Sequence, residues 1–400
     1  MKKVVLAFSG GLDTSYCAIY LSKKLGYEVH TLTVNTGGFN AEELAQIEKR
    51  ALSLGVRSHK AVEETYNYYD KVIRFLIYGN VLKNGTYPLS VSAERMSQAL
   101  ASARYAKEIG ATAVAHGSTG AGNDQVRFDM VIQILAPGIE IITPIRDLRL
   151  SREAEIEFLK ENGVAMNFEK AKYSINKGMW GTSVGGKETL NSLGMLPEEA
   201  WPTQVTKTAS DEVKLGFKKG ELKSVNGRDY DHPADAIQKL QELAGPYGIG
   251  RDIHVGDTII GIKGRVGFEA AAPLVIIKSH HALEKHVLTK WQLTWKDQLA
   301  QFYGNWLHEG QYLDPIMRDI EGFLTSSQQN VTGTVSVSLY PHRFVINGIE
   351  SPYDLMSAKF GKYGEMNLGW TGDDVKGFTK IFGNQVGIYH QVKEEADKLL

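Results

Sequence analysis

Along this chain the apolar positions change period several times, and each change marks an element. Val4 to Phe8 is a short apolar run rich in β-formers, broken by Ser9, Gly10 and Gly11. An apolar-faced helix is expected from Asp13 to Leu25, closed by Gly26. A second strand, Glu28 to Val34, and a second helix, Ala41 to Leu54, follow before Gly55. A longer helix is expected over Ala93 to Glu108, then strands over Ala111 to His116 and Ile139 to Ile142 ahead of Pro144. Strand and helix alternate with short turns, which predicts an α/β domain over residues 1–165, a parallel sheet covered by helices.

Beyond that point the pattern becomes mixed, and an α+β domain is expected over residues 166–380. Val205 to Val225 alternates in short runs, and Ala234 to Ala244 has a helical period. Ile253 to Lys278 reads as strands, including Thr258 to Ile262 and Leu274 to Lys278, and Ala282 to Ile320 as largely helical. The alternating VTGTVSVSL of Val331 to Leu339, followed by Phe344 to Ile346, predicts a hairpin. A last helix, Ile388 to Leu400 within residues 381–400, is too short to be stable alone and is expected to pack on another subunit.

Composition narrows the partners. The 400 residues carry 45 basic and 46 acidic side chains, a net charge of -1, so no global attraction to nucleic acid or an anionic membrane is expected. A partner is expected in a site rather than over a surface, and Lys214, Lys218 and Lys219 read as solvated. Cys17 is the only cysteine, which excludes an internal disulfide and a cysteine cluster for zinc, and fits a reducing cytoplasm. In its helix it reads as core packing. Glycines and Asp13 interrupt the N-terminal apolar run too early for a signal peptide, and no run of about 18 apolar residues follows. A cytoplasmic protein is expected. His116, His280 and His281 form no convincing metal set, the adjacent pair being expected on opposite faces of a strand.

The sharpest local signal is SGGLDTS, Ser9 to Ser15, between the first strand and the first helix. Two glycines let the backbone turn tightly with its amides inward, and the helix start adds partial positive charge. Thr14 and Ser15 add hydroxyls, so a pyrophosphate group would satisfy the nest. Asp13 is unfavourable beside phosphate unless a cation or a helix amide offsets it, which implies Mg²⁺. The spacing is neither GxxxxGK[ST] nor GxGxxG. The plainer alternative is a glycine turn in which Asp13 or Thr14 caps the helix. In its full context the segment resembles the pyrophosphate loop of the adenine-nucleotide α-hydrolase-like N-type ATP pyrophosphatases. That resemblance implies cleavage of ATP between the α and β phosphates, leaving AMP on an oxygen.

A second polar loop, HGSTGAGNDQVRF, covers His116 to Phe128 after a later strand. Loops at the carboxyl ends of parallel strands form the usual ligand crevice. Asn123 and Asp124 suit an amine or ureido nitrogen, and Thr119 and Arg127 a carboxylate or carbonyl oxygen. Alternatively, Asn123 and Asp124 only cap the next helix. Together with YSINKGMWGTS, Tyr173 to Ser183, these motifs resemble argininosuccinate synthase over nearly the whole chain. The resemblance implies that Ala7, Phe8, Ser9, Gly10, Gly11, Leu12, Asp13, Thr14, Ser15, Val34 and Gly117 surround ATP. It implies aspartate at Thr119, Asn123 and Asp124, and Arg95 near the polyanionic end. It further implies citrulline at Tyr87, Ser92, Asn123, Arg127, Ser174 and Ser183, catalytic roles for Asp13, Arg95 and Asp124, and a homotetramer with exchanged C-terminal helices. The implied chemistry is attack of the ureido oxygen on the α-phosphorus, then displacement of AMP by the aspartate amine.

The chain departs from that family at three positions. Gly256 stands where a glutamate is expected, Phe268 where a tyrosine is expected, and Asn176 where an aspartate is expected. A carboxylate and a phenol able to bind a charged α-amine are both missing. Citrulline held by compensating residues is one reading, and an N-acylated citrulline is the other. Less favoured alternatives are a tRNA-modifying thiolase or amidotransferase and an adenine-nucleotide sensor. The thiolase lacks its basic surface and sulfur-carrying cysteines here.

Overall fold

The computed structural model describes residues 1–164, 173–357, 361, 363–365 and 369–399. The expected domain boundary near 165 and the terminal Leu400 lie outside the described residues. The chain forms two compact units, Met1–Pro352 and Tyr353–Leu400.

In the first unit, β1 (Lys3–Ala7), β2 (Glu28–Asn35), β3 (Ser58–Glu63), β4 (Ala113–Ala115) and β5 (Glu140–Ile142) make one parallel sheet in the order β3-β2-β1-β4-β5. The order reverses between β1 and β4, which opens a crevice at their carboxyl ends. Helices α1 (Leu12–Ile19), α2 (Ala41–Ser53), α3 (Ser90–Glu108), α4 (Asp124–Leu135) and α5 (Arg152–Glu161) accompany it. After α1 the chain continues in wider turns over Tyr20–Lys24, closed by the Leu25 N–H on the Tyr20 carbonyl at 3.2 Å.

Alternation along β1 decides the layering. Val4 and Leu6 pack with Cys17, Ala51 and Leu159 on one face, while Val5 packs with Met96 and Val114 on the other. That second core runs without a break into the rest of the unit, through Trp180, Phe268 and Tyr303.

There β6 (Ser174–Gly178), β7 (Gly181–Gly185), β11 (Arg251–Asp257) and β12 (Lys263–Glu269) form an antiparallel sheet in the order β11-β12-β7-β6. A second antiparallel sheet joins β8 (Asp211–Lys218), β9 (Glu221–Val225), β10 (Arg228–Asp229), β13 (Gly333–Tyr340) and β14 (Arg343–Glu350). The predicted hairpin is β13 and β14. Helices α6 (Pro233–Ala244), α7 (Ala271–Val287), α8 (Lys290–His308) and α9 (Pro315–Ser327) cover these sheets.

Two expected strands are corrected. Thr258 to Ile262 is the turn between β11 and β12, where Thr258 N–H donates to the Ile262 carbonyl at 2.8 Å and Gly261 has φ +84°. Leu274 to Lys278 lies inside α7. A short apolar run cannot by itself distinguish a buried strand from a buried helix. His280 and His281 are therefore helical neighbours. His280 is fully buried and bonds Asn80 at 2.7 Å and Gln328 at 2.9 Å.

The second unit holds α10 (Gly372–Phe382) and α11 (Asn384–Asp397). Its helical stretch starts earlier than the Ile388 to Leu400 expected from sequence.

Candidate functional site

The glycine loop sits at the switch point. Gly10 has φ +75°, a left-handed conformation that costs an L side chain about 1 kcal/mol or more. Gly11 precedes α1 in an extended conformation, and no side chain caps that helix. Asp13 and Thr14 therefore do not use up the first-turn amides, and the helix start remains able to meet an anion. Ser9 Oγ lies 3.3 Å from Thr14 Oγ1 and accepts from Gly11 N–H at 3.4 Å. Leu12 and Ser15 turn their side chains into the core. Thr33 donates to the Phe8 carbonyl at 2.7 Å, fixing the end of β1 against β2 beside buried Val34. A cavity of about 240 Å³ opens beside Ser9 and Gly10, walled by Phe39, Gln46 and Arg50. No motif in the chain points to these three.

Gly117 brings the second loop against the first. A Cβ there would stand 3.2 Å from the Asp13 Cβ and 3.4 Å from the Thr14 Cγ2. On the other side, Glu155 of α5 is buried close to Asp13, and burial first and Asp13 second push its carboxyl up. A protonated Glu155 can donate to Asp13. His116 is held by Asp129 at 2.9 Å, and Asp129 by Arg146 at 2.7 Å, so His116 anchors the second loop.

Beyond Gly117, four elements meet through one carboxylate. Asp124 accepts from Arg95 Nε at 2.8 Å and from Arg127 Nη1 at 2.9 Å. Burial alone would raise the Asp124 carboxyl, but the two guanidinium groups hold it below its ordinary value. Arg95 also donates to Gln98 at 3.0 Å and to Asn176 Oδ1 at 2.6 Å. Burial disfavours its charge, yet Asp124 and Glu94 keep its pKa above the usual value. Arg127 is depressed by burial, against the opposing pull of Asp124. Its remaining donors meet the His308 carbonyl at 2.9 and 2.8 Å and Ser92 Oγ at 3.2 Å. His308 Nδ1 lies 3.0 Å from Ser92 Oγ, and burial, then Arg127, lowers that imidazole to about 2. Sequence reasoning missed His308 because it ends a helix far along the chain, with no motif around it.

Asn123 precedes α4 without a side-chain capping bond, and its Oδ1 instead accepts from Ile259 N–H at 2.8 Å. Thr119 sits on the exposed part of the loop. Gln125 ties that loop through the Gly120 and Gly122 carbonyls at 2.8 and 3.0 Å.

The remaining candidates lie on the β11-β12-β7-β6 sheet. Asn176 pairs with Ser183, and Ser183 with Phe268, so three of them form one row across neighbouring strands. Ser174 sits two residues from Asn176 on β6 and is exposed. Tyr87 is buried against Phe268 and His254, and its oxygen accepts from Val91 N–H at 3.2 Å and Ser90 Oγ at 3.3 Å. Gly256 lies at the far end of β11, opposite Gly264.

A five-stranded parallel sheet with a glycine loop at its switch point and an uncapped helix start defines a nucleotide-binding domain of the adenine-nucleotide α-hydrolase-like class. The family model described as the arginosuccinate synthase N-terminal HUP domain matches residues 3–165. The model for the arginosuccinate synthase C-terminal domain matches residues 173–389. The argininosuccinate synthase of Methanocaldococcus jannaschii is 38% identical over 393 residues, 98% of each chain. That of Xanthomonas campestris pv. campestris is 37% identical over 403 residues, covering 98% of this chain and 99% of its own. That of Dictyoglomus turgidum is 36% identical over 390 residues, 97% of each. The chain belongs to the argininosuccinate synthase family and is an ATP-dependent carbon–nitrogen ligase.

Proposed function

We propose that the two loops and the Asp124 network carry out the family's two steps in this chain: ATP with citrulline and aspartate gives argininosuccinate, AMP and diphosphate. The open helix start beside Gly10, Gly11 and Gly117 is the observation that carries the reading. These positions would receive the ATP phosphates, with the base and ribose toward Ala7, Phe8 and Val34. Mg²⁺ commonly binds through one or two carboxylates plus substrate phosphates, and Asp13 at this loop fits that donor set. When bound, Mg²⁺ would neutralise phosphate charge.

Arg95 lies in the Asp124 network and would stabilise charge developing on the phosphates. Thr119, Asn123 and Asp124 would hold aspartate, with Asp124 orienting its amine rather than acting as a strong base, because two guanidinium groups keep it ionised. Ser92, Arg127, Ser174 and Ser183 would hold the ureido substrate. Pyrophosphate and AMP release by purified protein, dependent on both aspartate and a citrulline, tests this. A single burst of pyrophosphate without aspartate belongs to the first step; continued turnover to AMP without aspartate, or with ammonia alone in its place, would refute it.

The geometry at Gly256 and Phe268 favours a second form of the substrate, an N-acylated citrulline. Phe268 is fully buried against Tyr87 and offers no hydroxyl at that end. Comparing free and N-acylated citrulline as acceptors decides between the forms.

A homotetramer in the cytoplasm, without nucleic acid or membrane partners, completes the proposal. Among the described residues, no helix is long and apolar enough to cross a membrane. The terminal unit exposes Phe378, Ile381, Phe382, Val386 and Tyr389, more apolar surface than two short helices keep in water without a partner. Light scattering of the full chain against an Ile381→Ser/Phe382→Ser variant tests the assembly. An unchanged mass would remove these helices from the interface.

A further inference from the structure

Gly256 looks like a lost carboxylate in the sequence, but its space is filled. His254 and Gly256 are two residues apart on β11 and share a face of the strand. A Cβ on residue 256 would lie 2.7 Å from His254 Nε2 and 3.2 Å from Asn84 Nδ2. The His254 ring and a side chain at 256 therefore exclude each other. The ring is fixed by stacking on Tyr87, with centroids 4.9 Å apart and planes 26° apart, and Tyr87 rests on Phe268 in turn.

His254 is 5% exposed, and its Nδ1 is buried with no hydrogen-bond partner among the described residues. Burial first and Lys83 second hold the imidazole below the ordinary histidine range, so it is neutral at neutral pH. A buried lone pair is tolerated more readily than an orphaned N–H, so the proton belongs on Nε2, facing the space over Gly256. An N–H donor cannot bind an ammonium, but it can bind a carbonyl oxygen. Asn84, beside it, also borders a cavity of about 360 Å³ with Lys83 and Asn305. The cavity's two carboxylates are already balanced: Asp257 pairs with Lys263 at 2.6 Å, and Glu309 faces Lys83.

We propose that His254 sets specificity at the substrate's α-nitrogen, with Nε2–H donating to the acyl carbonyl of an N-acylated citrulline and the acyl group passing Asn84 into that cavity. The proposal rests on the ligase reading above and names what its amino-acid end accepts.

The test is pyrophosphate release with Mg-ATP and aspartate, using citrulline, N-acetylcitrulline or N-succinylcitrulline as acceptor. The native protein should prefer an acylated form by roughly tenfold or more in kcat/KM. His254→Ala should raise KM for that form roughly tenfold while kcat stays within a few-fold, a split that a general loss of folding would not give. Gly256→Glu alone should be obstructed by the ring. His254→Ala combined with Gly256→Glu should shift preference toward free citrulline by roughly a hundredfold. Equal or better use of free citrulline by the native protein overturns the proposal and leaves the ligase intact. An acyl preference untouched by His254→Ala overturns the role of His254. No release with any ureido acceptor overturns the ligase reading, and the proposal with it.

Discussion

Arg95 Nη2 donates to Asn176 Oδ1 at 2.6 Å, joining the helix beside the nucleotide sheet to the first strand of the next sheet. The Nε of the same guanidinium is held by Asp124 and its Nη1 by Gln98, so all three nitrogens of Arg95 are positioned. Asn176→Ala should leave a partly buried donor without its acceptor and cost about 1–3 kcal/mol in urea denaturation. Asn176→Asp should keep the bond, now charge-assisted, and be at least as stable as the native chain. Equal stability of the two variants would show that the contact contributes nothing.

Asp124 balances two cations, the buried Arg127 and the partly buried Arg95. Asp124→Asn keeps the shape but removes the charge, leaving Arg95 and Arg127 without their shared anion. A stability loss of about 3 kcal/mol is expected, with a fall in aspartate-dependent pyrophosphate release on the order of a hundredfold. Denaturation and steady-state kinetics on one preparation separate the two effects.

Gly117 is where the two loops touch. Gly117→Ala puts a methyl 3.2 Å from the Asp13 Cβ, so the start of α1 must shift by a few tenths of an ångström. Roughly tenfold weaker ATP binding is expected, since about 1.4 kcal/mol corresponds to that factor. ATP titration by calorimetry measures it, and thermal unfolding should change little.

Glu94 gives the fold a pH dependence. It is buried, accepts from Thr36 at 2.9 Å and Gln98 at 2.9 Å through one oxygen, and its other oxygen has no partner among the described residues. Burial first, against the opposing pull of Arg95, raises its carboxyl to about 6 from 4.5. The folded chain thus holds this proton more tightly than the unfolded chain. The group's stabilising contribution is full below pH 4.5 and is lost as pH rises through 6, a loss on the order of 2 kcal/mol. Glu94→Gln should flatten this part of the stability profile. Denaturation at pH 5 and pH 7 on both proteins checks the difference.

Lys296 and Glu284 are both fully buried and paired at 2.9 Å, with Asn80 and Gln328 completing the carboxylate's bonds at 2.5 and 2.8 Å. Lys296→Met strands that carboxylate and should cost about 3–5 kcal/mol. Replacing both partners, Lys296→Met with Glu284→Gln, should recover part of the loss, read from denaturation midpoints at constant slope.

Four of the five strands of the nucleotide sheet and its glycine loop were legible in the sequence; β3 and the strand order were not. Strand and helix periods are local properties, and a glycine pair between them needs no distant residue to make a turn. The helix over Ala93 to Glu108, the loop from His116 and the hairpin at Val331 were legible for the same reason. Tertiary structure decided what local pattern could not. The runs at Thr258 and Leu274 became a turn and a helix because a short apolar segment takes the form its neighbours leave room for. His308 reaches Arg127 across 181 positions, a contact no spacing rule carries. Gly256 carried only an absence in sequence. The fold alone set the His254 ring over it, because strand alternation places the two residues on one face and Tyr87 holds the ring there.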